Sequence, residues 1–244
     1  MKSKIYVVGT GPGNVAHITP KAMDALRDSD IIVGYKTYIK LIKEHFADKK
    51  FVSSAMKKEV NRCEEVLKLA ETGKTVSLIS SGDSGIYGMA GIMLEVVDAH
   101  KSELEVEIVP GITASIAGAS LLGAPLMNDF VVISLSDLLS PWELIEKRIH
   151  AAGAGDFVIC IYNPRSKTRI KQLDNAVEIL LQYQSPETPV GIVKHAMRKE
   201  QEVIITDLQK LRKHDINMFT TLIVGNSKTK VINNKLVTVR GYKI

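Results

Sequence analysis

The chain has 244 residues, of which 45% are hydrophobic and 24% are charged, and its formal net charge is +5. This composition is typical of a soluble globular protein, and no apolar run approaches the roughly 20 residues of a membrane helix, which excludes a membrane-spanning protein. The N-terminus also lacks a signal-peptide pattern, so we expect a cytoplasmic location and no membrane partner.

The basic residues are dispersed along the chain. Nucleic-acid-binding proteins usually show basic runs or a known module, and neither is present, so no nucleic-acid partner is predicted. A polyanionic small molecule and a mildly basic solvated surface both remain explanations of the charge. Cys63 and Cys160 lie in separate apolar segments, and the six histidines show no ligand spacing. We therefore expect two buried thiols and no protein-bound metal.

The first predicted elements are a strand and a glycine-rich turn. Residues 5–8 form a continuous apolar run, which is typical of a strand covered on both faces. The turn Gly9-Thr10-Gly11-Pro12-Gly13-Asn14 is a broken dinucleotide fingerprint, because Asn14 occupies the third glycine position and no helix opens directly after it. A nicotinamide or flavin enzyme is therefore disfavoured.

Thr19-Pro20 is the next helix start, with a capping side chain followed by proline. The strand at 31–33 ends in Gly34-Tyr35-Lys36, where a dinucleotide-binding protein would have an acidic residue. Apolar residues from Val60 to Ala70 have helical spacing, and Gly73 is expected to end that helix.

A second glycine-rich turn follows an apolar strand at residues 75–80. Apolar positions from Ile86 to Val97 recur at helical spacing, so the chain is predicted to leave a strand, turn over residues 81–85 and enter a helix. N–H groups at a helix start bind polar ligand atoms, and Asp83 is the charged side chain of the turn. Two interpretations of Asp83 stay open here: a ligand contact, or a cap of the helix.

Two domains are predicted, with residues 1–112 in the first and residues 113–244 in the second. The strand at 106–109 is broken by Pro110-Gly111, and the small residues at 112–119 suit close packing of either a helix or a flat ligand. Further strands are expected at 129–134, 157–162, 189–194, 203–205 and 219–224. Helices are expected from a capping box at Ser140, over 170–180, and from Thr206 to Lys213.

This alternation predicts an α/β protein in which each domain is a mostly parallel sheet flanked by helices, with a ligand cleft between the domains. The strand-end turns, taken in order, resemble the tetrapyrrole methylase family over essentially the whole chain. The general family features are Gly9-x-Gly11-Pro12-Gly13, Ser81-Gly82-Asp83, residues 109–114 and residues 220–225.

Five longer motifs are most similar to the family members that methylate C17 of precorrin-3B or cobalt-precorrin-3 in cobalamin biosynthesis and contract the ring. These motifs span residues 34–38, 82–91, 134–142, 162–166 and 240–242. The resemblance implies a homodimeric methyltransferase that uses S-adenosyl-L-methionine, releases S-adenosyl-L-homocysteine and binds a tetrapyrrole with several carboxylates. Cobalt, if present, would arrive in that substrate.

The resemblance also implies site residues. The implied cofactor-binding residues are Pro12, Ser81, Gly82, Asp83, Ile86, Thr113, Ala114, Asn163, Ala196, Thr221 and Leu222. The predicted substrate-binding residues are Tyr35, Lys36, Ser136, Asp137 and Arg165. Asp83 and Tyr35 are the catalytic candidates. Relatives that methylate uroporphyrinogen carry an aspartate assigned as a proton acceptor where this chain has Gly34-Tyr35-Lys36, and two interpretations stay open: proton transfer falls to Tyr35, or this substrate needs none. Two alternatives are a methyltransferase for another precorrin position and a non-catalytic ligand-binding protein of this fold.

Overall fold

The computed structural model describes residues 3–54 and 58–243, and its contacts group into two compact units, Met1–Ala114 and Ser115–Ile244. Each unit has its own sheet and its own core clusters. None of the helices within the described ranges combines the length and the apolar character that crossing a bilayer requires.

The first unit is a five-stranded sheet in which every ladder is parallel. Its strands are β1 (Lys4–Gly9), β2 (Ile31–Tyr35), β3 (Lys50–Ser54), β4 (Val76–Ser80) and β5 (Glu105–Val109). Its helices are α1 (Pro20–Asp28), α2 (Lys36–Ile42), α3 (Glu59–Glu71) and α4 (Ala90–Ala99). The strand order is β3-β2-β4-β1-β5, so the carboxyl ends of all five strands lie along one edge.

Helices cover both faces of this sheet. Val7 belongs to a core cluster with residues of α3 and α4, whereas its neighbour Val8 packs with residues of α1 and α2. This two-sided burial explains the continuous apolar run of β1. Thr19 accepts a hydrogen bond from the Ala22 N–H at 3.2 Å, and Gly73 follows α3 with a φ of +89°, so both predicted helix-end signals are confirmed.

The second unit contains a five-stranded sheet and a smaller three-stranded sheet. Its strands are β6 (Gly123–Ala124), β7 (Phe130–Ser134), β8 (Val158–Tyr162), β9 (Pro189–Lys194), β10 (Glu202–Asp207), β11 (Thr220–Val224), β12 (Thr229–Ile232) and β13 (Lys235–Thr238). Its helices are α5 (Ala114–Leu122), α6 (Trp142–Ala154) and α7 (Lys171–Leu180). The strand orders are β10-β9-β11-β8-β7 and β12-β13-β6.

The α/β class is confirmed, but the larger sheet of the second unit is mixed rather than mostly parallel. Only the β7–β8 ladder is parallel, whereas the β8–β11, β11–β9 and β9–β10 ladders are antiparallel. The reason is the connections: a helix joins β7 to β8, but a short turn joins β9 to β10 and reverses the chain. Strands β7, β8 and β9 therefore run one way, and β10 and β11 run the other.

Three local predictions are wrong at element boundaries. Helix α4 begins at Ala90, because the segment before it includes Tyr87 at a φ of 52°, which no α-helix contains. The predicted capping box at Ser140 does not form: Pro141 is the N-cap residue, which moves Glu143 one position too early to reach back. Strand β10 runs through Asp207, so the predicted helix after Thr206 is only a 3-10 turn at Leu211–Lys213.

Candidate functional site

In the first unit, the turns after β1 and β4 are bound to each other. The Thr10 backbone N–H and hydroxyl both donate to the Ser80 carbonyl, at 2.9 and 3.0 Å. Gly11 and Gly82 then form an antiparallel bridge, in which each N–H donates to the other's carbonyl at 3.0 and 2.7 Å. The two glycine-rich motifs found in the sequence are thus one structural feature.

Glycine is required here because three backbones approach each other closely. A Cβ atom on Gly9 would lie 2.7 Å from the Gly111 nitrogen and 2.8 Å from the Gly82 oxygen. A Cβ atom on Gly111 would overlap the Gly82 carbonyl oxygen and lie 2.6 Å from the carbonyl carbon of Gly9. The turns after β1, β4 and β5 therefore pack backbone against backbone, and any larger residue would separate them.

Asp83 ties the turn after β4 to the turn after β5. One carboxylate oxygen accepts the N–H groups of Gly85 and Ile86, at 2.8 and 3.2 Å, and the other accepts the N–H of Gly111 at 2.9 Å. The side chain does not cap α4, which begins seven residues later. Its three backbone donors hold the geometry of the turns around it.

The other predicted residues of the first unit lie on or next to the same edge of the sheet. Pro12 and Thr113 are buried, Ser81 is half-buried, and Ile86 is 41% exposed. Tyr35 is the last residue of β2, which pairs with β4, and its ring packs edge-on against Tyr38 with ring centroids 5.3 Å apart.

Lys36 is exposed at the start of α2, and Ala114 is the first residue of α5. Lys36 directly follows Tyr35 and so lies beside the carboxyl edge of the first sheet. Ala114 follows the turn after β5, the strand that pairs with β1.

In the second unit, the carboxyl ends of β7, β8 and β9 share an edge with the beginning of β11. Asn163 follows β8 in the left-handed region, at a φ of 51°. Its side-chain amide donates to the Ser134 hydroxyl at 2.9 Å, and the Ser136 N–H donates to the same oxygen at 3.2 Å. The ends of β7 and β8 are therefore joined through these predicted residues.

Ala196 and Thr221 belong to the same edge. Ala196 follows β9 between two residues with positive φ, His195 at 47° and Met197 at 58°. Thr221 is buried opposite Val193 of β9. Leu222 differs from the prediction in one respect: its side chain is fully buried in the core, so that side chain is unavailable to a ligand.

Two cationic side chains at this edge already have carboxylate partners. Arg165 pairs with Asp174 at 3.1 Å, and Lys194 pairs with Glu202 at 3.0 Å and with Asp215 at 3.2 Å. Asp137, predicted to bind substrate, is exposed and accepts a hydrogen bond from Gln172 at 2.8 Å. Across the described ranges, no group of three or more His, Cys, Asp or Glu side chains is arranged to hold a metal ion.

Buried polar atoms without partners concentrate in these turns. Five buried side-chain nitrogen or oxygen atoms of the described residues lack a hydrogen-bond partner. His17 Nδ1 lies in the segment between β1 and α1. Three of these atoms lie in the β8–α7 connection and the first turn of α7: Arg165 Nε, Arg169 Nε and Gln172 Oε1. Of the five atoms, only Gln184 Oε1 lies outside these segments. Because buried polar groups are normally satisfied, these atoms fit a polar ligand.

Sequence reasoning missed His17, Arg169 and Gln172. Nothing in the local pattern distinguishes them from ordinary surface residues, since the burial of Arg169 and of single atoms of His17 and Gln172 depends on the folded structure.

A profile of the family described as Tetrapyrrole (Corrin/Porphyrin) Methylases matches residues 4–212. The chain belongs to the tetrapyrrole methylase family. This methylase is 51% identical over 240 residues to a Salmonella typhimurium protein named probable cobalt-factor III C(17)-methyltransferase, covering 98% of this chain and 100% of that protein.

Another relative is longer than this tetrapyrrole methylase. The Priestia megaterium protein named cobalt-factor III methyltransferase is 51% identical over 247 residues, which cover 100% of this chain but 46% of that protein. Among solved structures, the methyltransferase CobJ superimposes with a TM-score of 0.92 at 34% identity, covering 97% of this chain and 100% of that chain. The predicted family and fold are therefore confirmed.

Proposed function

We propose that this tetrapyrrole methylase transfers a methyl group from S-adenosyl-L-methionine to C17 of a cobalt-precorrin-3 or cobalt-factor III type substrate in cobalamin biosynthesis. The observation that carries the proposal is the match to the Salmonella protein, which extends over that protein's full length at 51% identity. The five longer motifs that predicted C17 methylation from sequence support the same assignment.

The strand-end turns fit a polar cofactor. In the first unit, the buried His17 Nδ1 has no hydrogen-bond partner and follows the turn in which Gly11 has a φ of +69°. In the second unit, the buried Arg165 Nε and Gln172 Oε1 have no hydrogen-bond partner. When bound, S-adenosyl-L-methionine supplies a methyl group already activated on a sulfonium sulfur. The residues proposed to hold it are Pro12, Ser81, Gly82, Asp83, Ile86, Thr113, Ala114, Asn163, Ala196, Thr221 and the backbone of Leu222.

The chain's own task is alignment and exclusion of water, because an activated methyl needs no strong nucleophile from the protein. Asp83 holds the turns after β4 and β5 through its three backbone donors, so we assign it to positioning. Tyr35, with its ring fixed against Tyr38, is the proposed proton-transfer group. Lys36, Ser136, Asp137 and Arg165 are proposed to contact the substrate.

Three finer points belong to the same proposal. Ring contraction accompanies methylation, as the C17 motifs predict. The protein is a homodimer in the cytoplasm. Cobalt enters as part of the substrate, which the names of the relatives that act on cobalt-factor III support.

The test is anaerobic incubation of the purified protein with S-adenosyl-L-methionine and cobalt-factor III, followed by mass and absorbance spectra. A product heavier by one methyl group, with a changed chromophore, is expected. If product forms only from metal-free precorrin-3B, the substrate is the metal-free compound rather than cobalt-factor III. Binding of S-adenosyl-L-homocysteine without turnover of either tetrapyrrole would contradict the proposal and favour a ligand-binding protein.

A further inference from the structure

Arg169 is a buried cation that forms no ion pair within the described residues. It precedes α7, and only 7% of its surface is exposed. Its Nη2 donates to the Asn163 carbonyl at 2.8 Å and lies 3.5 Å from the Met218 sulfur, while its Nε is buried without a partner. None of the ion pairs formed within the described ranges includes Arg169.

The electrostatics make this arrangement unfavourable for the chain alone. Burial lowers the pKa of Arg169 from its usual value, and the charge of Asp137 acts in the opposite direction. Arginine nevertheless keeps its proton in proteins. Buried charges are normally paired, because removing an ion from water is costly without a partner. A ligand anion would supply the missing partner.

Arg169 differs from the neighbouring cations Arg165 and Lys194, because they form ion pairs with carboxylates of this chain. Arg165 and Lys194 lie at the same edge and each contacts at least one carboxylate of this chain. Arg169 is the more buried of the two arginines, and its guanidinium has a carbonyl and a sulfur as hydrogen-bond acceptors, with Asp137 acting on it through its charge but forming no ion pair. It therefore has the strongest requirement for an incoming negative charge.

Exposed apolar side chains surround this edge. Leu138 and Leu139 follow β7, Ile170 adjoins Arg169, and Met218 and Phe219 precede β11. All five are exposed, and Leu139 is exposed to 97%. A buried cation that contacts Met218, at an edge whose flanking segments carry exposed large apolar residues, suits a ligand with a broad apolar face and an anionic arm.

We propose that Arg169 binds a carboxylate of the tetrapyrrole substrate. The inference rests on the proposed function and deepens it by assigning the substrate's anchoring residue. S-adenosyl-L-methionine also carries a carboxylate, but the apolar rim favours the macrocycle, whose ring offers a broad apolar face. The bond is a charge-assisted hydrogen bond from the guanidinium to the carboxylate.

The experiment compares Arg169→Gln with Lys167→Gln, which removes an exposed cation of the same turn. Cobalt-factor III binding is followed by absorbance titration, and S-adenosyl-L-homocysteine binding is followed separately by calorimetry. Arg169→Gln is expected to weaken tetrapyrrole binding at least about tenfold, the usual effect of losing a hydrogen bond to a charged group. Its affinity for S-adenosyl-L-homocysteine should stay within about twofold, and Lys167→Gln should bind both ligands like the wild type.

Two results overturn the inference. One is unchanged tetrapyrrole affinity in Arg169→Gln. The other is a parallel loss of both affinities, which would mean that Arg169 acts only by holding Asn163. If Arg169→Gln does not fold, Arg169→Met removes the charge but keeps much of the side-chain volume, and the same two outcomes apply to it. A wild-type protein that binds the tetrapyrrole but forms no product contradicts the proposed function without affecting this test.

Discussion

The carboxylate of Asp83 accepts three backbone N–H groups and joins the turns after β4 and β5. The Ser84 hydroxyl adds a second link by donating to the Val109 carbonyl at 3.2 Å. A carboxylate is suited to this place because both of its oxygens only accept hydrogen bonds. The residue therefore contributes by fixing the backbone against which a ligand would lie.

Replacing Asp83 with asparagine tests this role. The amide would present an NH₂ group to one or more of these backbone donors, which would then lose their acceptor in the protein. We expect methyl transfer to fall by about 10- to 100-fold, since small displacements at a reacting centre have effects of that size. The affinity for S-adenosyl-L-homocysteine should fall as well. Asp98→Asn, an exposed aspartate of the same unit, is the control, and normal turnover by Asp83→Asn would contradict the role.

The proposed proton transfer by the Tyr35 hydroxyl can be tested by removing that hydroxyl alone. Tyr35→Phe keeps the ring and its edge-on contact with Tyr38 but removes the hydroxyl. If the hydroxyl moves a proton, kcat should fall by about 100-fold or more with little change in cofactor affinity. Tyr242→Phe, at an exposed position, should behave like the wild type. Unchanged kcat in Tyr35→Phe would show that no proton transfer passes through this side chain.

At the scale of elements, the site depends on how closely three strand ends approach each other. Gly111→Ala places a methyl group against the backbone of Gly82 and Gly9, where no flexible side chain can yield. We expect a loss of about 1–3 kcal/mol in the free energy of unfolding, the usual effect of overpacking, together with loss of S-adenosyl-L-homocysteine binding. Denaturant titration and calorimetry measure the two effects.

Gly91→Ala is the matched control for that substitution. Gly91 lies in α4, and a Cβ atom there meets nothing within 4 Å. Alanine is the better helix former, so the variant should be unchanged or more stable by about 0.5–1 kcal/mol. Equal destabilisation by both substitutions would refute the close-approach explanation.

The elements also show what the sequence predicted and what it could not. Local signals at Thr19 and Gly73 determined real helix ends, because capping and left-handed turns involve only nearby residues. The sequence did not predict strand β3, because it has only two apolar residues, Phe51 and Val52, and its strand conformation depends on pairing with β2. The direction of β11 was missed for the same reason: pairing between distant segments decides it.

For the site, the sequence indicated most of the turns through their glycine and polar motifs. Arg169 was missed because its significance is its burial, which depends on Asn163 and Met218 rather than on its own neighbours. Strand β11 is buried on both faces, with Leu222 in one core cluster and Ile223 in another. The resemblance implied a cofactor contact for Leu222 without saying that its side chain belongs to the core.

At the scale of the whole molecule, each unit contains one buried cysteine: Cys63 in α3 and Cys160 in β8. Burial raises the pKa of both thiols to about 12, so neither forms the reactive thiolate at neutral pH. Neither thiol should react with a disulfide reagent in the folded protein, and both should react after unfolding in guanidinium. Rapid labelling of the native protein would contradict the burial of that unit's core.

The same two thiols make the free energy of unfolding depend on pH in the alkaline range. Their folded pKa is raised above the ordinary value of 9.0, so above that pH the unfolded chain loses protons that the folded protein keeps. The free energy of unfolding should therefore decrease as the pH rises from 9.0 towards about 12. Replacing both cysteines with alanine should make this decrease shallower, and an identical slope in both proteins would exclude the thiols as its cause.

The position of β11 between β8 and β9 has a consequence for synthesis on the ribosome. Translation completes β8, β9 and β10 before Thr220–Val224 is made, so a nascent chain holds two strands whose facing edges have no partner until the last strand of that sheet emerges. Ribosome arrest just before Thr220 should therefore leave an intermediate that recruits chaperones, whereas the finished chain of 244 residues, released from the ribosome, should not.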